Sequence, residues 1–211
     1  MKGKRGTKMI KVNGVSLFTK NSKTACPSWA VSTRSCKGCH NATICKSCYA
    51  KKGMFCFPAV KNAVNKRLEW WNKSQDKNII ETMTNEIRKS GTKYFRAYVS
   101  GDFQGSRDIR IWRKIAENLP EVKFWFPTKA HRVRASGITQ ALQALNRLEN
   151  VSVRPSSGNF DTPAPDVKGL AAGTTAHKKD NPPNGEFNCI GDCSKCRVCW
   201  DKETKVSYHY H

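Results

Sequence analysis

Two groups of cysteine, at opposite ends of the chain, restrict its fold more than any other feature. Cys26, Cys36, Cys39, Cys45, Cys48 and Cys56 come early, Cys189, Cys193, Cys196 and Cys199 come late, and the 132 residues from 57 to 188 contain none. Thiols used as small core residues would be spread along the chain. The late group reads C-x3-C-x2-C-x2-C, four thiols in eleven residues, which draws the sulfurs together in short loops and suits a tetrahedral zinc or a cubane cluster. The early group contains two C-x2-C pairs, Cys36 with Cys39 and Cys45 with Cys48, only five residues apart, with Cys26 ahead of them. Zinc pairs are usually spaced further apart. The crowded triplet Cys193, Cys196 and Cys199 is nearer ferredoxin spacing, so spacing leans slightly towards iron–sulfur. Cys56, among apolar neighbours in "MFCFPA", is expected in the core.

No apolar run is long enough for a membrane span, and the N-terminus is basic and polar without an apolar signal core. The expected location is the cytoplasm, where cysteines serve as ligands or catalysts rather than as disulfides. Lys and Arg number 38 against 16 Asp and Glu, a formal net charge of +22. Charge this one-sided attracts polyanions whatever the fold, which makes nucleic acid the expected partner, with DNA and RNA both open. No membrane contact is expected, and the oligomeric state is open.

The cysteine-free middle carries the fold. Apolar residues recur at helical spacing from Phe57 to about Trp71, and again from Ile79 to Ile87 between a cap at Ser74 and a stop at Gly91. "YFRAYVSGDF" reads as a strand running into a turn at Gly101. A helix follows, capped by Ser106 and stopped by Pro120. "VKFWFPTK" is a second strand, "SGITQALQALNRLEN" a helix, "VSVRPSS" a third strand and "GLAAGTTAH" a fourth. Trp70, Trp71 and Trp112 are expected in the core. The alternation predicts an α/β fold with a mainly parallel sheet covered by helices. Residues 1–25 form a basic arm and first strand, 26–178 a barrel-like domain opening with a cysteine-rich loop, and 179–211 a cysteine-rich segment completing the same domain.

Working residues of such sheets gather in loops at the carboxyl ends of strands. Those loops hold Ser100, Gly101, Asp102 and Phe103, then Thr128, Lys129, His131, Arg132 and Arg134, then Arg154, Ser156 and Ser157. Asp102 serves equally as a turn or cap residue, and His131 is expected to be an exposed loop histidine. If the early cysteines follow a strand near "VNGVSLFT", metal and charge share one face. The expected phosphate contacts are Lys51, Lys52, Lys129, Arg132, Arg134 and Arg154, with a basic arm of Lys2, Lys4, Arg5 and Lys8.

This order of parts resembles a reduced radical S-adenosylmethionine barrel, that is, a partial (β/α) barrel. More closely, "CP" at Cys26, "CKSCYAKKG" at Cys45, "VSGDF" at Val99, "FWFPTK" at Phe124 and "CSKCRVCW" at Cys193 resemble the phage-encoded gene-product-eighty-eight family, over about Thr24 to Trp200. That resemblance implies iron–sulfur binding, and a host-cell cytoplasmic location if the chain is phage-encoded; it implies no particular reaction. The resemblance to radical enzymes puts Ser100-Gly101-Asp102 where a cofactor's amino group binds, without the usual Gly-Gly-Glu. The early cysteines read C-x5-C-x2-C from Cys39, whereas those enzymes carry C-x3-C-x2-C after the first strand. That spacing occurs here at Cys189, Cys193 and Cys196, with Cys199 beside it. With the resemblance, Cys189, Cys193, Cys196 and Cys199 are expected to hold one [4Fe–4S] cluster. Cys26, Cys39, Cys45 and Cys48 would hold another, with Cys36 in reserve. Three readings stay open: an iron–sulfur protein that binds nucleic acid, its cluster structural or redox-active; a radical S-adenosylmethionine enzyme modifying a nucleic acid or protein; and a zinc-stabilised nucleic-acid-binding protein.

Overall fold

Alternate side chains of a strand point to opposite faces of its sheet, and in the aromatic stretches 94–96 and 123–128 that alternation sorts the whole molecule into two sides. A computed structural model describes residues 10–21, 24–135 and 137–210; Lys2, Lys4, Arg5 and Lys8 of the expected arm lie outside them. β1 (Lys11–Val12) and β2 (Val15–Ser16) pair as a small antiparallel ladder. β3 (Thr19–Asn21), β4 (Cys26–Ser28), β5 (Tyr94–Arg96), β6 (Lys123–Thr128), β7 (Val151–Phe160), β8 (Thr174–His177), β9 (Phe187–Asn188) and β10 (Val206–His209) form one sheet, ordered β3-β4-β5-β6-β7-β8-β10-β9. Strand β3 runs antiparallel to β4. The other seven strands are parallel and curl into a half-barrel.

Five α-helices join the described strands: α1 (Thr43–Lys46), α2 (Pro58–Lys73), α3 (Asp76–Lys89), α4 (Ser106–Glu117) and α5 (Ile138–Asn146). Pro58 opens α2, where its missing N–H costs nothing. Ser74 closes α2 instead of capping α3, whose cap is Gln75, and Gly105 rather than Ser106 precedes α4. On one side of the sheet, Phe95, Phe124, Phe126, Val151 and Val153 meet Trp71, Ile79, Met83, Ile87, Trp112, Ile115, Leu142 and Leu145 from the helices. Trp71 and Trp112 stack at 5.7 Å, as expected of core residues, while Trp70 is only partly buried. The opposite side, inside the curl, takes Tyr94 and Trp125 against Cys26, Cys199, Trp200 and Val206.

The segment after residue 178 fills this inner side and finishes the sheet, because β10 is inserted between β8 and β9. Arg154 fastens it. Expected on the rim, Arg154 is instead wholly buried: its β7 position points it inward, where its guanidinium donates to the carbonyls of Val198, Cys199, Thr204 and Ala172 and pairs with Asp201 at 3.0 Å. A side chain so enclosed cannot reach a phosphate. Among the described residues no helix is long and apolar enough to cross a membrane.

Candidate metal centres on the half-barrel

Strand β4 is only three residues long, and the chain leaving its carboxyl end turns at once into the early cysteine loop. That loop lies across the rim formed by the next strands. Gly38 is pressed so closely on the Lys129 carbonyl that a Cβ there would collide with it. Arg132 donates to the Gly38 carbonyl at 3.2 Å, and Thr43 bonds Asn159 at the end of β7 at 3.0 Å. Within the loop Cys39 and Cys45 are joined by a disulfide, and Cys36 and Cys48 are free thiols near enough for the charge of one to affect the other. Burial pushes the Cys36 thiol up to about 12, reinforced by Asp102 and Cys48 and opposed by Lys129 and Lys51. A thiol so placed ionises only if a strong positive charge arrives.

The turn expected to face a cofactor is engaged by the fold itself. The buried Asp102 carboxylate accepts from the Thr128 hydroxyl at 2.6 Å, the Lys129 amide at 2.7 Å and the Phe103 amide at 2.8 Å. Burial raises its pKa, and these three donors work against that rise. Ser100 donates to the Val31 carbonyl at 2.8 Å, and a Cβ on Gly101 would strike Val31 and Ser35. Lys129 is half-buried and its pKa is lowered by burial. His131 is half-buried rather than exposed: burial brings its pKa down to about 4, and its Nδ1 has no hydrogen-bond partner.

The second group assembles inside the curl. Cys189, Cys193, Cys196 and Cys199 line one shallow crevice with Trp200 and Val206. Cys26 joins this group and not the early loop, because it sits in β4 with its side chain on the inner face, packed with Trp125, Trp200 and Cys193. Cys36, expected only as a reserve ligand, lies in the early loop, whereas Cys26, which the resemblance assigned to that set, does not. The Cys199 thiol, 3.4 Å from the Tyr208 hydroxyl, is pushed up to about 11 by burial. Cys56 belongs to neither group: it is exposed, not in the core, its sulfur 3.2 Å from the Lys51 carbonyl.

Arg96 stands between the groups. Its guanidinium covers the Trp125 ring at 4.5 Å and bonds the Tyr49 hydroxyl, which also donates to the Val99 carbonyl. Its Nε has no hydrogen-bond partner. No group of three or more His, Cys, Asp or Glu among the described residues closes on a single point as one ion requires. Lys51, Lys52 and Arg134 are exposed, whereas Lys129 is half-buried and Arg132 is partly spent on the loop it holds. Residues 3–202 match the family described as gene product 88. The chain belongs to the gene product 88 family. No curated protein and no solved structure matches it. The family match spans both cysteine groups, so the early loop and the inner crevice of this gene product 88 chain fall within the region that defines the family.

Proposed function

We propose that this chain is an iron–sulfur protein that binds nucleic acid, its clusters bracing the half-barrel or exchanging electrons. The observation that carries this is the partition of nine of the ten cysteines into two all-cysteine groups, one on the rim and one inside the curl. The donor chemistry fits: both groups are soft sulfur only, and a cubane spreads its ligands wider than one ion does. Cys36, Cys39, Cys45 and Cys48 would hold the first cluster. The second would draw on Cys26, Cys189, Cys193, Cys196 and Cys199. A [4Fe–4S] cluster supplies one-electron exchange and a multi-point crosslink when bound. Before the first set can bind iron, the Cys39–Cys45 disulfide must be reduced by two equivalents of an external thiol, which leave as a disulfide and give two cysteine thiols.

The order of parts supports the scaffold resemblance to radical S-adenosylmethionine enzymes: first parallel strand, cysteine loop, helices, then further βα units. The cofactor part of that resemblance gains nothing from residues 100–102, whose polar groups are engaged as described, and no step is assigned to it. The nucleic-acid part rests on the net charge of +22 and the exposed lysines around the early loop.

Anaerobic purification under reducing conditions, with iron and acid-labile sulfide analysis, tests the cluster. Brown protein with both elements is expected. Cys48→Ser and Cys196→Ser should each lose iron, and Cys56→Ser should lose none. Colourless protein with stoichiometric zinc would replace the cluster by the zinc reading. Oligonucleotide binding should weaken steeply as salt rises; salt-insensitive binding, or none at low salt, removes the nucleic-acid part.

A further inference from the structure

We infer that the ridge from Tyr49 to Phe57 is a stacking platform for single-stranded nucleic acid, an inference that rests on the nucleic-acid part of the function proposed above. Met54, Phe57 and Tyr49 are 71%, 60% and 55% exposed. They are three of the six exposed large apolar side chains among the described residues, gathered within nine positions. A surface ridge this apolar calls for a partner. Its charge selects which partner. Lys51 and Lys52 stand exposed between the rings, Lys46 and Lys61 flank them, and no Asp or Glu occurs anywhere before Glu69. An apolar protein surface would gain little from cations at this spacing. A chain of phosphates carrying flat bases uses both. Duplexes hide their base faces in the stack, so only an unpaired strand can lay bases on these rings.

The ridge is held in shape before any partner arrives. Amide-to-carbonyl bonds from Lys51 to Cys48, Lys52 to Tyr49, Phe55 to Lys52 and Phe57 to Met54, at 2.9–3.2 Å, order its backbone. Tyr49 is anchored by its hydroxyl on the Val99 carbonyl and by the Phe55 ring at 5.8 Å, while about half of the residue stays exposed. A fixed ring loses little entropy when a base stacks on it. The surface continues across the rim, where Lys52 lies 3.3 Å from the Tyr210 hydroxyl and Lys178 covers the Tyr210 ring at 5.4 Å.

Fluorescence anisotropy of iron-loaded protein with labelled oligothymidylate, and with a duplex of equal length, tests the platform. Phe57→Ala is expected to weaken single-strand binding about tenfold and duplex binding less than twofold, since one stacked base is worth roughly 1.4 kcal/mol or more. Phe57→Trp should retain affinity, and Met54→Ala should repeat the single-strand loss more weakly. Lys51→Glu with Lys52→Glu should weaken both nucleic acids. If the wild type binds single strand and duplex with the same salt dependence while Phe57→Ala and Met54→Ala change neither, the nucleic-acid reading stands and the platform falls. If the wild type binds neither, both fall together. If Phe57→Ala instead dissolves a dimer in sedimentation and leaves single-strand affinity unchanged, the ridge joins copies of the chain and the inference is overturned.

Discussion

Arg154 spends its guanidinium on six hydrogen bonds to its own chain, five of them to carbonyls of the segments that close the inner side. An arginine offers five N–H donors in a rigid fork, and a β-strand position facing a crowded interior lets all of them be used. Each such bond contributes roughly 1 kcal/mol net, so Arg154→Met should lower unfolding free energy by about 3–5 kcal/mol. Urea titration checks this, with Arg134→Ala, at an exposed position, expected within about 0.5 kcal/mol of wild type. Equal losses from the two would mean that the inner segment is not held by Arg154. His131 supplies a second residue-level test. Burial holds its pKa down to about 4 against an ordinary 6.5, so below pH 6.5 the unfolded chain takes up the proton first. Stability attributable to this ring is present above 6.5 and is lost as pH falls towards 4, on the order of 1–2 kcal/mol after allowing for screening of a half-exposed side chain. The difference between wild type and His131→Gln, followed by thermal unfolding from pH 7.5 to 4.5, should show that slope. A flat difference would place His131 in water.

Elements legible in the sequence were those that carry their own pattern over many residues. Helices α2 to α5 and strands β5 to β7 lie where the apolar spacing puts them, because each buries a face against the next. Strand β4 was invisible for a physical reason: "CPS" is three residues with a proline at its centre, and its pairing comes from β3 and β5 rather than from its own propensity. Its position turns Cys26 towards the late cysteines, which distance along the sequence could not reveal. Strands β9 and β10, two and four residues long, are likewise made by their neighbours. The exposed ridge left a weaker signal, the aromatic and lysine residues of "YAKKGMFCF" without helical or strand periodicity. Because β10 is the sole link between β8 and β9, breaking it should disconnect the edge of the sheet. Ser207, wholly buried, accepts from the Cys189 amide at 2.9 Å and bonds His177 Nδ1 at 2.6 Å. Ser207→Pro should therefore abolish the protected environment of Trp200, read as a red-shifted and quenched tryptophan emission, while the same change at exposed Asp180 should not. Unchanged emission in both would show that β10 is dispensable.

At the scale of the molecule, the half-barrel separates two kinds of work. Its helical side is an ordinary apolar core of stacked aromatics, sufficient to define the sheet. Its inner side is lined by thiols, an arginine with an unpartnered Nε and a loop pinned by another arginine, which is poor material for hydrophobic closure alone. The positive charge could be counted in the sequence but not located: Arg154, expected on the rim, is turned inward, and Arg132 is used to fasten the early loop. The placement of β10 also sets an order in time. Strand β9 can join the sheet only after β10 has settled beside β8, because β10 is its neighbour there. The crevice cysteines lie between these two strands in the chain, so their loop is closed at both ends only once β10 is in place. Until β10 docks, Cys189, Cys193, Cys196 and Cys199 lie on a loop tied at one end only, so the chain before that step leaves these thiols most open to solvent.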